Sequence, residues 1–267
     1  MQYLLAVDME GVHGVVGEPY KGLSESPEQY TIAQEAAIKE INAASKALFD
    51  NGAKKVVLWD NHHMGNNFDY TLIDQRIEVA DWKKYCKRLE FAKDYNFAGI
   101  IYLGYHAKEG TMGAILSHTY SSKSIQYIKL NNRAVGELDI DTYIAAIYGI
   151  PPIFIAADNF AVGQLKEISP LTHSVITKYG KGRNTADLIE REVVLKNIYD
   201  EVSSAVKSKI PVVKYDFPAE LEVRYTHMER AEMKYRSFVG KIPVKYGEDA
   251  HVLLAKPNNI YEVFCFV

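Results

Sequence analysis

The segment Asp8-Met9-Glu10-Gly11 follows an apolar run, YLLAV, and sets two carboxylates two positions apart. Residues i and i+2 of an extended segment point the same way. Asp8 and Glu10 therefore face one point in space, and two like charges that close repel unless something positive lies between them. The same kind of residue recurs after later apolar runs. Asp60-Asn61-His62-His63 follows KKVVLW, Tyr105-His106 follows AGIIYLG, His118 lies in ILSHTY and Glu137 in AVGEL. Carboxylates and imidazoles form an oxygen and nitrogen ligand set that suits zinc or manganese, and a carboxylate able to span two ions suits a metal pair. A bound dication makes clustered acids favourable and keeps them ionised.

Each of these residues alone has an ordinary explanation. An Asp at a strand end is commonly a turn or capping residue, and a single His is commonly packed or on the surface. The argument for a site is their coincidence: several strand ends carry an acid or a His, on the side where an open parallel sheet binds ligands.

The elements that must position them read as an alternation of strands and helices. Tyr3–Val7, Lys54–Asp60, Ala98–His106 and Pro151–Asp158 are near-continuous apolar runs, as expected for strands covered on both faces. A helix is predicted after Ser26-Pro27-Glu28-Gln29, through Ala37, Ile41, Ala44 and Leu48, ending at Asn51-Gly52. A second helix is predicted from Glu137 to about Tyr148, and SIQYIKLNNRAVGEL reads as a hairpin turning at Asn131-Asn132. A long helical pattern runs from about Thr185 to near Lys209, and KYGKGR (178–183) reads as a loop. In the last stretch PAELEVRYTH reads as a strand and MERAEMKYRSF as a helix; AHVLLAKPNNIYEVFCFV carries no decisive pattern. The reading is an α/β fold, a mostly parallel sheet flanked by helices with a smaller C-terminal α+β subdomain. Residues 1–210 form the metal-binding domain and 211–267 the subdomain, divided around Pro211 and Pro218.

Composition fits this class. The 267 residues are 48% hydrophobic and 24% charged with net charge −3, which points to a globular protein and away from nucleic acid or an anionic membrane as partner. No apolar run approaches the length of a membrane span, and the two cysteines, Cys86 and Cys265, make no disulfide framework. A cytoplasmic location is expected.

Together AVDMEG, WDNHH, YLGYHA, LSH and VGELDIDTYIAAIYGIPPIFIAAD resemble, in order and spacing, the signature blocks of the D-aminopeptidase family of zinc peptidases. The resemblance spans Met1 to about Asp158, with a weaker echo in ITKYGKGRNTADLIE. It implies two zinc ions per chain, with Asp8 bridging them and Glu10, His62, His106 and Glu137 as the other ligands. It implies His118 as the catalytic histidine, as nucleophile or as acid and base. It implies a homodecamer that removes N-terminal residues, D-alanine among them, from short peptides. The sequence departs from the family pattern at three places: His63 follows His62, the interval from His106 to His118 is one residue longer, and His13 stands where a small residue is usual. His13 is expected close to the metals. Asp60 and Asn61 are candidates to orient the ligands, and Arg183 to bind a peptide carboxylate. An L-specific aminopeptidase or an amidohydrolase would use the same ligands, and a non-catalytic oligomeric binding protein is the reading of another class.

Overall fold

The computed structural model describes residues 1–267. Its elements are β1 (Gln2–Val7), α1 (Pro27–Asp50), β2 (Lys55–Asp60), β3 (Glu78–Val79), β4 (Phe97–Leu103), β5 (Ile125–Leu130), β6 (Arg133–Val135), α2 (Glu137–Ile147), β7 (Pro152–Asp158) and α3 (Asn159–Ile168). They continue with β8 (His173–Gly182), β9 (Thr185–Leu188), α4 (Arg191–Ala205), β10 (Leu221–Tyr225), α5 (Met228–Phe238), β11 (Val244–Tyr246), β12 (Val252–Ala255) and α6 (Ile260–Phe264).

A seven-stranded sheet has the order β3-β2-β1-β4-β7-β8-β9, parallel except for β9. The apolar runs are continuous because alternate side chains enter two different cores. Tyr3, Leu5 and Val7 pack with Ala37, Ile41 and Leu48 of α1 and Val194 and Ile198 of α4. Leu4 and Ala6 pack on the opposite face, with Leu138 and Ile144 of α2 and with the second sheet. That second sheet is five-stranded and antiparallel, in the order β11-β12-β10-β5-β6. It joins the β5–β6 hairpin to strands from the last fifth of the chain, so its strands lie on both sides of residue 210. The hairpin turns at Asn131 and Asn132, both with positive φ (48° and 63°), as a two-residue hairpin requires.

Three local expectations are corrected. Thr185–Leu188 is a strand, not the start of the long helix, which runs only over Arg191–Ala205. KYGKGR is not a loop up to Gly182; the buried Lys178 ends the pairing of β8 with β7, and Tyr179 to Gly182 form its outer end, paired with β9 alone. Ser26 does not cap α1 with its side chain, and Gln29 accepts the backbone N–H groups of Val16 and Gly17 (3.0 and 2.9 Å), tying down the loop after β1. The stretch without a decisive pattern forms β12 and α6. No helix is long and apolar enough to cross a membrane.

Candidate metal centre

The polar residues gather at the carboxyl ends of β1, β2 and β4, three adjacent strands that end side by side. β1 runs out between β2 and β4 into the loop that carries Asp8 and Glu10. The loop passes so close to the end of β4 that a Cβ on Gly11 would stand 1.9 Å from the Tyr105 carbonyl oxygen. Gly104, with φ of +69°, meets the Asp8 carbonyl in the same way, and Gly11 N–H donates to the Gly104 carbonyl at 2.7 Å. The glycine after Glu10 is therefore needed for close approach of two backbones, not merely for a turn.

Asp8, Glu10, His62 and His106 are buried, and Glu137 is nearly so. Asp8 divides its oxygens: Oδ1 lies 3.0 Å from His62 Nδ1 and Oδ2 lies 3.5 Å from His106 Nε2. Glu10 Oε2 lies 3.2 Å from His62 Nδ1. Glu137, in the first turn of α2 where the helix dipole favours a carboxylate, places Oε1 3.3 Å from His106 Nε2 and 3.5 Å from His118 Nε2. The ligand-type atoms of Asp8, Glu10 and His106 lie within 4.8 Å of one another, and so do those of His106, His118 and Glu137. The rings of His106 and His118 stack, with centroids 3.9 Å apart.

Backbone groups set the tautomers. Nδ1 of His106 faces the Ala107 carbonyl at 3.0 Å and Nδ1 of His118 faces the Leu116 carbonyl at 2.9 Å. A carbonyl accepts only, so each Nδ1 carries a proton and each Nε2 is turned toward the acids. His62 is held the other way round: its Nε2 lies 3.2 Å from Ser24 Oγ and its Nδ1 faces the acids.

The electrostatics are those of a site built around positive charge. Burial and the neighbouring Glu10 push Asp8 up to about 7. Burial opposes protonation of His62 and His106, yet the surrounding carboxylates raise them to about 12 and about 10. His118 is shifted down, by burial and by His106 beside it. Glu10 Oε2 and His106 Nε2 are buried and, despite the nearby His62 and Glu137, make no aligned hydrogen bond. Two orphaned atoms aimed into a cluster of oxygen and nitrogen donors fit a borderline dication such as zinc.

The cluster opens into a cavity of about 340 Å³, lined also by Ser24, His63, Tyr120, Lys123 and Arg183. Lys123 pairs with Glu25 at 2.6 Å. Arg183 has no carboxylate partner; it donates to the Ser117 carbonyl at 2.7 Å, and its own carbonyl accepts Leu116 N–H at 2.9 Å. The β8–β9 turn is thus fastened to the segment that bears His118. His63 lines the cavity. His13 does not: its neighbours are Thr177, Lys178, Glu190 and Arg191, on the far side of the β1 loop. The expectation that it sits close to the metals is corrected, because the chain has turned away from the cluster after Gly11.

Asp60 and Asn61 act on backbone and neighbours rather than on a ligand ring. Asp60 accepts from Asn67 N–H and Nδ2 (2.7 and 2.6 Å), and Asn67 Nδ2 donates to the His62 carbonyl at 2.7 Å. Asn61 donates to Tyr105 Oη at 2.8 Å, in a network with Asp141 and Arg88. Sequence reasoning passed over Arg88, Asp141 and Ser24. Asp141 carried a signal: it lies four residues after Glu137, on the same face of the helix.

The chain matches the D-aminopeptidase family over residues 1–243. It is 23% identical over 235 residues to the D-aminopeptidase of Bacillus subtilis (strain 168), covering 87% of this chain and 84% of that protein. Its fold superposes with a TM-score of 0.84 on the solved structure described as a Zn-dependent D-aminopeptidase, DppA, from Bacillus subtilis, a self-compartmentalizing protease. The match is 20% identical and covers 100% of this chain and 95% of that one. With nearly its whole length matched, the chain belongs to the D-aminopeptidase family.

Proposed function

We propose that the chain is a zinc-dependent aminopeptidase that removes N-terminal residues, D-amino acids such as D-alanine in particular, from short peptides, with two zinc ions per chain. The observation that carries the reading is the division of Asp8, one oxygen toward His62 and the other toward His106. A carboxylate so placed suits a bridge. Glu10, His62, His106 and Glu137 are the other ligands. Family membership supports the reaction, and the names of the relatives support zinc and the D-configured substrate.

Bound zinc supplies a water acidified toward neutral pH and a polarised carbonyl. The residues of the chain do the rest. His118, neutral because of its burial, accepts a proton at Nε2 and passes it to the nitrogen of the leaving amine. The Leu116 carbonyl keeps that ring from turning, and Glu137 Oε1 at 3.5 Å stabilises its charged form. The free amine of the peptide is drawn to the acidic end of the cavity. Its terminal carboxylate is matched to the unpaired guanidinium of Arg183, which favours short peptides.

The enzyme is placed in the cytoplasm, where the exposed thiols of Cys86 and Cys265 stay reduced. It is assigned to a homo-oligomer, a decamer by family likeness, and fully exposed Tyr20 and Met112 are apolar surface for subunits to cover. Metal content per chain, with Asp8→Ala beside the wild type, tests the reading. Near two zincs per chain, lost in the variant, is expected. A wild type that neither carries nor takes up metal overturns it in favour of a binding protein.

A further inference from the structure

The loop that carries Glu10 is gripped from behind. Three consecutive carbonyl oxygens, those of Glu10, Gly11 and Val12, each accept a side-chain hydrogen bond of 2.7 Å. The donors are two consecutive residues of β8. Lys178 Nζ donates to Glu10 and Val12, and Thr177 Oγ1 donates to Gly11 between them. In a regular strand consecutive side chains point to opposite faces. Here the register of β8 against β7 shifts, with Ala157 opposite Ile176 and Asp158 opposite Lys178, so Thr177 is the extra residue. Such a bulge re-aims side chains, and both reach the same loop.

Lys178 and Thr177 are completely buried. Asp158, Glu40 and Glu10 are the acids whose charge the ammonium feels, and Glu40 Oε2 and Asp158 Oδ2 have no hydrogen-bond partner. A lysine present only to balance these acids would direct its N–H groups at them. Instead two of its N–H groups go to the backbone that carries Glu10.

We propose that Thr177 and Lys178 are positioning residues that hold the Glu10 loop in its ligating geometry and thereby set zinc affinity. The proposal rests on the reading of Glu10 as a ligand. Interactions one step removed from a metal are typically worth about 10- to 100-fold in affinity. Lys178→Met keeps the length of the side chain and removes both bonds. Thr177→Val keeps the shape and removes one.

Zinc affinity of the full-length protein, measured by competition with a chelator, tests it, with unfolding temperature and the absorption spectrum of the cobalt(II)-loaded protein recorded alongside. Lys178→Met is expected to weaken zinc binding about 10- to 100-fold and to alter the cobalt spectrum, and Thr177→Val to do the same to a smaller degree. Adding Glu40→Gln to Lys178→Met removes the acid left without its cation, and the loss of affinity is expected to persist. Restoration of wild-type affinity in that double variant overturns the clamp and leaves charge balance as the role of Lys178. A lowered unfolding temperature with unchanged affinity and spectrum overturns it too. If Lys178→Met does not fold, Thr177→Val alone decides. A wild type that binds two zincs beside an unaffected Thr177→Val sinks the clamp and spares the metal centre; a wild type that binds none sinks both.

Discussion

Two buried polar clusters draw on the residues that follow β2 and β4, and they are built on opposite rules. In one, Arg88 makes a two-pronged contact with Asp141, Nε to Oδ1 at 2.5 Å and Nη2 to Oδ2 at 2.8 Å. Tyr105 and Asn61 complete it, and the guanidinium packs over Trp59 at 4.8 Å. Cation and anion are matched, and Arg88 donates from both Nε and Nη2. In the other, Asp8, Glu10 and Glu137 converge with no Lys or Arg side chain paired to them, and orphaned atoms remain on Glu10 and His106. A buried network that closes on itself is structural, whereas one that stays open among ligand-type atoms is made for a guest.

The contrast can be broken by substitution. His118→Ala is expected to lower turnover by about 10²- to 10⁴-fold, the usual worth of general acid–base catalysis, with metal content unchanged. Turnover assayed beside metal content decides; an unchanged rate removes His118 from the chemistry. Arg88→Met addresses the closed cluster. It strands the Asp141 carboxylate, and a broken buried pair costs about 3–5 kcal/mol of folding stability. Denaturant unfolding that shows a loss below about 1 kcal/mol would mean that the pair is replaceable. Zinc stoichiometry should survive in the variant that folds.

Smaller effects sharpen the same comparison. If Arg183 takes the peptide carboxylate, the wild type should favour a dipeptide over its C-terminal amide. Charge-assisted hydrogen bonds are worth about 1.5–3 kcal/mol, roughly 10- to 100-fold in KM. Arg183→Ala should erase that preference; equal losses on acid and amide would assign Arg183 to holding the Ser117 segment alone. The open cluster should also couple metal to protons. The acids hold His106 up at about 10, well above the ordinary histidine value, so at neutral pH a metal ion enters by displacing its proton. Apparent zinc affinity should rise with pH through the neutral range, by at most about tenfold per unit for each proton released. Calorimetry in buffers of different ionisation enthalpy reads that release. The sign for folding is opposite: the stability His106 contributes is fully present below about 6.5 and is lost as pH rises through about 10.

The central strands and the acids that end them were legible because burial on both faces leaves continuous apolar runs that stop abruptly at polar residues. The outer end of β8 was not, because a strand paired only beyond the core needs no apolar alternation. β9 reads as helix in the sequence because Leu188 and Ile189 lead at helical spacing into Val194, Ile198 and Val202. The ligand set stood out by coincidence of residue type with strand ends, sharpened by family likeness, and the structure brings those residues together. Arg88, Thr177 and Lys178 left no pattern, since a buried polar side chain is justified only by partners far away in sequence. Lys178 meets Glu10 across 168 residues.

That separation has a consequence for how the protein is made. Every proposed ligand has been synthesised once Glu137 leaves the ribosome, but the residues that hold the Glu10 loop come only with β8. Long-range contacts of this kind form late, after their loops close. A nascent chain can thus carry all the metal-binding side chains and still lack the shape that holds a metal, so loading belongs to the finished fold rather than to its assembly.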